Sequence, residues 1–430
     1  MQLHKKQFFY GWVIVATSAL LLAVGLGMFH STNSVFVKPI CDSLGFARGE
    51  FTLYRTIITL VGAFVMPFYG KCIQKIGVKK VLLTGALMLS IVAFGYSFST
   101  KLWHFYTIAV LNGLFVNGIG FMSVGVLVNS WFNGKKGIAS GLAFSGSGLG
   151  GAIMVPIIGR VIELTSWQWA YRLMAAIGIV ILMPAIVLLV KNNPSDMGLK
   201  PFAEDSGKYN GKLTPMHDLS FREAAHTGKF WMLLIAFFFI SFFAAATNTH
   251  SAPYLSDLGY SAAFVSLVIS LFMVFLTIGK VILGSVYDRF GTLAGNIFIA
   301  IFCLAFPVFA LLSYLPAIPW VYAACIGMAS CGTSVPLSLL VSRFFGQEDY
   351  PTIFGFYSMM ASLASSISVP GMGAIYDMTG SYRLAWLIFL FTSVIIAVSL
   401  VGAELIHKRQ QTNAETVMKK DNINLISEER

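Results

Sequence analysis

The side chains able to do chemistry in this 430-residue chain are the few ionisable ones inside long apolar runs. Lys280 lies between Thr277-Ile-Gly and Val281-Ile-Leu, and His30 sits beside Ser31 after Gly25-Leu-Gly-Met-Phe. His250 belongs to Thr247-Asn248-Thr-His-Ser-Ala-Pro253. A charge within hydrocarbon is expensive, so such residues face protein or water and are functional suspects by default. Lysine supplies a point cation suited to one carboxylate. Histidine binds an anion when protonated, or relays a proton. Each has a plainer reading as well: a snorkelling Lys280, and hydrogen-bonded structural histidines. Arg55, about a turn inside its run, reads as a snorkelling residue. Arg160 and Glu163 stand one turn apart and read as a surface pair. No nucleophile–base pair is visible, which argues against an enzyme. The five cysteines are scattered without a CxxC, and the seven histidines form no ligand cluster. Neither a metal nor a cofactor is expected.

These residues need elements to hold them. The chain is 57% hydrophobic and only 11% charged, where a soluble domain carries about 25% charge. That excludes a secreted disulfide scaffold and an ordinary cytosolic enzyme. A helix needs about 20 apolar residues to cross a bilayer. By that measure twelve spans fall at roughly 12–37, 50–70, 81–99, 103–130, 138–163, 168–190, 229–255, 263–286, 294–314, 318–341, 352–376 and 383–405. With the N-terminus inside, the inner segments hold 21 of the 29 Lys and Arg residues and the outer segments five. Positive charge marks the cytoplasmic side, so the net charge of +11 reports topology. No nucleic-acid partner is expected. The reading is a multi-pass plasma-membrane protein in the lipid bilayer, with both termini cytoplasmic. It divides into bundles at 1–190 and 229–405, a polar linker at 191–228 and a solvated, partly disordered tail at 406–430.

The chain also repeats itself. Sliding it along itself until Gly45 meets Gly259 superposes seven glycine pairs without a gap, among them Gly118 on Gly332 and Gly141 on Gly355. Composition alone would give roughly two. Val155-Pro156 falls on Val369-Pro370 in the same register. Both halves start and end on one side, which makes them parallel repeats. Such repeats enclose a site near the midplane and rock to expose it to either side. Small residues from Gly141 to Gly151 allow the close helix approach that this motion needs.

The segment Gly70-Lys-Cys-Ile-Gln74-Lys75-Ile-Gly77-Val-Lys79-Lys80 resembles the signature of the major facilitator superfamily. Its repeat copy is Gly284-Ser-Val-Tyr-Asp288-Arg289-Phe-Gly291. The signature's acid is Gln74 in the first copy and Asp288 in the second. The resemblance implies an all-α membrane fold of twelve helices in two six-helix parallel repeats. It also implies a gate built on Gly70, Lys75, Gly77, Gly284, Asp288, Arg289 and Gly291, with the Gln74 side weaker for want of charge. Four further segments are similar to the monocarboxylate transporter and oxalate–formate antiporter group: Phe9-Tyr-Gly-Trp12, Trp131-Phe-Asn-Gly-Lys135-Lys136, Asn193-Pro-Ser-Asp and Phe221-Arg-Glu. Lys280 occupies a helix position resembling that of the group's substrate-binding Arg. His30 or Ser31, depending on the anchor, matches a first-span lysine. Four residues before Lys280 the proton-coupled members carry an Asp, where this chain has Leu276.

The expected function is alternating-access transport of a small organic anion, foremost a monocarboxylate. The substrate site would comprise Lys280, His30, Ser31, His250 and Asn248, with protons or a counter-anion as coupling partner, in a monomer. An efflux carrier for amphipathic compounds, or a non-transporting nutrient receptor, is the alternative. The topology is directly testable. Impermeant thiol reagents applied to sealed right-side-out cells should label cysteines placed in the 38–49 segment and spare those placed at 200–212.

Overall fold

The computed structural model describes residues 9–202 and 218–428, which are helical almost throughout. The middle of the polar linker, 203–217, lies outside the described residues. The helices are α1 (Gly11–Met28), α2 (Arg48–Ile76), α3 (Val78–Tyr96), α4 (Leu102–Trp131), α5 (Lys136–Leu164) and α6 (Trp167–Leu189). After the linker come α7 (Gly228–Asp257), α8 (262–290), α9 (292–311), α10 (Ile318–Phe345), α11 (Tyr350–Thr379) and α12 (Arg383–Glu428). Among the described residues, eleven continuous helices are long and apolar enough to cross a membrane. The longest is two spans joined at Gly291, whose φ of 85° breaks the helix. Twelve spans result, as the hydropathy predicts.

The repeat is visible in the backbone. Gly77 ends α2 with the same φ of 85° that Gly291 has after α8, and Gly45 and Gly259 also share positive φ. A residue with a Cβ resists that region, which is why glycine recurs at the same place in each half. Both α4 and α10 are interrupted by a short 3-10 turn, at Val116–Ile119 and Cys331–Thr333.

Three boundaries differ from the hydropathy reading. The second span continues past residue 70 to Ile76, so Gly70 and Gln74 lie on a helix and only Gly77 makes the turn. The first span is interrupted at 29–32, after a wide turn in which Phe29 N–H bonds back to Val24 O and Ser31 N–H to Leu26 O. Such i→i−5 turns re-aim side chains and recur at functional sites. A separate helix, Asn33–Leu44, then completes the outer end. The tail expected to be disordered from 406 instead prolongs α12 to Glu428.

The two halves meet chiefly through α2 against α11 and α5 against α8. Their contacts lie near the face that carries the linker. There a Cβ on Gly137 would collide with the Gly284 carbonyl, one on Gly141 with that of Lys280, and one on Gly70 with that of Pro351. Toward the opposite face nothing lies within 4 Å of a Cβ placed on Gly159, which shares the α5 face of Gly137, Gly141 and Gly148. The halves are sealed at the linker face and splayed apart at the other. Gly284→Val should therefore open the seal, since overpacking at a backbone contact costs about 1–3 kcal/mol. Spin-label distances across the linker face should lengthen in Gly284→Val and stay unchanged in Gly159→Val.

Candidate functional site

Lys280 lies on the α8 face that packs on α5, its backbone seated against Gly141. The ammonium is buried. It donates to Ser147 Oγ at 2.9 Å and to the Phe144 carbonyl at 3.2 Å, both on α5 of the other half. It also sits 5.3 Å from the centre of the Phe121 ring. Among the described residues no carboxylate pairs with it. Two donors out of three are satisfied by neutral groups, and the charge itself is not neutralised. A buried cation in that condition calls for an anion. Leu276, one turn away, is apolar and half-buried.

His30 and Ser31 occupy the break after α1 and are both exposed. The neighbouring Phe29 is buried, and a Cβ on Gly151 of α5 would fall 3.0 Å from Ser31 Oγ. The break thus leaves His30 and Ser31 exposed, with Ser31 lying against α5 of its own half. Asn248 on α7 is exposed as well.

His250 is placed differently. Its Nε2 lies 3.0 Å from the Val369 carbonyl and its Nδ1 3.3 Å from the Tyr382 hydroxyl. Both ring nitrogens are thereby engaged inside the second half. The structure places Ser31, against Gly151, about one helical turn along α5 from Ser147, the partner of Lys280, and does not join His250 to either. Arg160 and Glu163 form the expected surface pair at 3.0 Å, both largely exposed.

The seal has a different chemistry in each copy of the repeated motif. Asp288 Oδ1 accepts from Gly137 N–H and Oδ2 from Ile138 N–H, each at 2.8 Å. A carboxylate from one half thus caps the N-terminus of α5 in the other, where unpaired amides and the helix dipole favour negative charge. Arg343 on α10 holds that carboxylate at 3.2 Å. On the opposite side Gln74 Nε2 donates to Asp349 Oδ1 at 2.9 Å and to the Glu348 carbonyl at 3.0 Å. Asp349 is the residue just before α11. The acid missing from the first motif therefore reappears on the receiving helix. Lys75 and Arg289 are exposed, the latter lying against Phe290.

Sequence reasoning missed Ser147, Asp349 and the cleft-facing position of Arg55. Only the last had a signal. Arg55 is two residues from Leu53, on the far side of the helix from the exposed apolar stripe Leu53, Leu60, Phe64 and Phe68.

Two six-helix repeats sealed at one end, with a buried cation between α5 and α8, have the architecture of a membrane carrier. The Major Facilitator Superfamily model matches residues 19–369 and 253–422, and the chain belongs to that superfamily. It is 25% identical over 393 residues to the oxalate:formate antiporter of Oxalobacter formigenes, covering 89% of each chain. It is 22% identical over 451 residues to human monocarboxylate transporter 12, covering 95% of this chain and 83% of that one. In fold it is similar to the fucose:proton symporter of E. coli, with a TM-score of 0.66 at 17% identity. That match covers 92% of this chain and 99% of the symporter.

The partly buried lock, in which Asp288 also meets Arg343, should outweigh the exposed one between the Gln74 amide and Asp349. Asp288→Asn turns one of the two acceptor oxygens into an NH2 donor facing a backbone amide and removes the charge opposite Arg343, a loss of about 2–4 kcal/mol to the sealed state. Amide hydrogen exchange in a peptide spanning 134–145 should accelerate more than tenfold in Asp288→Asn and remain near wild type in Gln74→Ala.

Proposed function

We propose that this carrier moves small organic anions, foremost monocarboxylates, by alternating access, with Lys280 as the group that holds the carboxylate. The observation that carries this reading is the buried Lys280 ammonium, bonded only to a carbonyl and a hydroxyl. A carboxylate leaving water loses hydration worth several kcal/mol and needs a fixed opposite charge in return. Lys280 supplies one at the cleft floor. His30, Ser31 and Asn248 supply polar contacts above it, and His250 holds α11 to α7 behind them. The relatives named for oxalate, formate and monocarboxylates support the same substrate class.

Gly70, Gly77, Gly284 and Gly291, with Lys75, Asp288 and Arg289, form the gate on the linker face in this reading. We place this gate on the cytoplasmic face, which the Lys and Arg distribution supports, and take the carrier to be a plasma-membrane monomer. Coupling runs through exchange of anions or through protonation of His30. Leu276 favours exchange, because among the described residues no acid adjoins Lys280 to trade a proton with it.

The test is uptake of labelled formate, oxalate, lactate and pyruvate into proteoliposomes, with and without a pH gradient. Lys280→Met should weaken uptake of the transported anion at least 100-fold while the protein stays monodisperse. Lys280→Arg should retain part of it, because charge is kept and shape is not. Transport by Lys280→Met with unchanged affinity contradicts the assignment.

A further inference from the structure

The turn between α3 and α4, on the face away from the linker, carries side chains that the contact between the halves does not use. A groove of about 290 Å³ opens there, walled by Gly95, Phe98 and Ser99 on one side and by Trp103, His104 and Ile108 on the other. Its volume is close to the lower bound of about 300 Å³ for small-molecule pockets. A glycine makes the room, since a Cβ on Gly95 would lie 3.5 Å from Ile108 Cδ1. Helix α4 begins at Leu102, so the groove descends roughly 9 Å along it to Ile108. That depth runs from the headgroup level of a bilayer into its acyl chains. Phe98 and Trp103 are 59% and 60% exposed, and aromatic rings collect at that boundary in membrane proteins.

Positive charge borders the same groove. Arg172, in the second turn of α6, reaches over to the α3–α4 turn and donates from Nε to Ser97 Oγ at 3.4 Å. Its guanidinium carbon lies 5.4 Å from the centre of the Phe98 ring and 4.9 Å from that of Trp169. Two aromatic rings thus hold the guanidinium, while one of its five donors has a partner among the described residues. No carboxylate pairs with it among those residues. Lys101, exposed in the same turn, adds a second positive charge. No side chain caps α4 at Lys101, so the first amides of that helix also favour an anion. His104 Nδ1 accepts from Thr100 N–H at 3.2 Å, which leaves Nε2 protonated and a donor.

We propose that this groove binds one anionic phospholipid from the leaflet opposite the linker. An acyl chain lies between Gly95 and Ile108, and Arg172 holds the phosphate. The guanidinium fork takes two phosphate oxygens at once, and His104 donates to a glycerol ester. A zwitterionic lipid brings its own cation to the same place, where Arg172 and Lys101 repel it, so the site selects anionic headgroups. The bound lipid fastens α6 to the α3–α4 turn. All of its contacts lie within the first half, so the site stands whether or not Lys280 holds the substrate.

Photolabelling reads this site without a transport assay. The full chain is placed in phosphatidylcholine nanodiscs with a trace of phosphatidylglycerol or of phosphatidylcholine, each carrying a diazirine on the upper acyl chain. Labelled peptides are then mapped by mass spectrometry. The peptide 95–108 should take up phosphatidylglycerol about fivefold more than phosphatidylcholine, the selectivity that one basic residue confers at a membrane surface. Arg172→Gln should bring that ratio to within about twofold of unity, and Arg172→Lys should keep most of it. Gly95→Leu fills the groove and should cut labelling of 95–108 by either lipid several-fold. Labelling at Ile179, Val180 and Leu188, on the exposed stripe of α6, should not change in Gly95→Leu. Ile108→Trp fills the groove from α4 and replaces Gly95→Leu if that variant does not fold. Annular contact only, with equal labelling of 95–108 by the two lipids, overturns the site. A ratio that Arg172→Gln leaves unchanged, or a yield that filling the groove does not lower, overturns it as well.

Discussion

Direct backbone contact between α5 and α8 is the constraint on which the rest of the structure depends. Gly137 meets Gly284, and Gly141 meets the carbonyl of Lys280, with no room for a Cβ at either glycine. That approach brings the start of α5 within hydrogen-bond reach of the Asp288 carboxylate. One turn of helix further on, it places Phe144 O and Ser147 Oγ around the Lys280 ammonium. Gate and candidate site are thus parts of one helix pair. Parting the halves at the seal would remove both oxygen partners from Lys280 together, which couples its environment to the conformation of the carrier.

The two copies of the motif show how one architecture tolerates a lost charge. In the second copy an acid on α8 caps a helix across the interface and is braced by Arg343. In the first copy the acid, Asp349, sits at the start of the receiving helix, and the neutral Gln74 amide reaches it. Both arrangements satisfy polar groups near a helix N-terminus. They differ in strength, because hydrogen bonds to ionised groups partly sheltered from water are stronger than exposed amide contacts. The polar fastening is therefore stronger through α5 and α8 than through α2 and α11, although both helix pairs pack closely.

The cations within the spans differ in burial. Lys280 is buried and braced by the opposite half, whereas Arg55 and His30 are exposed. Among the described residues neither Lys280 nor Arg55 has an acidic partner. A buried lysine binds through desolvation and fixed charge; a solvated arginine acts over a longer range through its field.

Span number, the parallel repeat and the glycines that must approach another backbone were all legible in the sequence. Each follows from local rules: hydrocarbon thickness sets helix length, and positive φ demands glycine at Gly77 and Gly291. Lys280 was legible as well, because a lone cation in an apolar run has few reasons to exist. Tertiary structure decided which face of the molecule is sealed, that Asp349 answers Gln74, and that both nitrogens of His250 are already engaged. It also turned Arg55 from an apparent snorkelling residue into a cleft residue. Those outcomes depend on contacts between segments far apart in the chain, and on which of two packings of the same halves is adopted. A sequence that must support both packings cannot encode a preference for one in its local pattern.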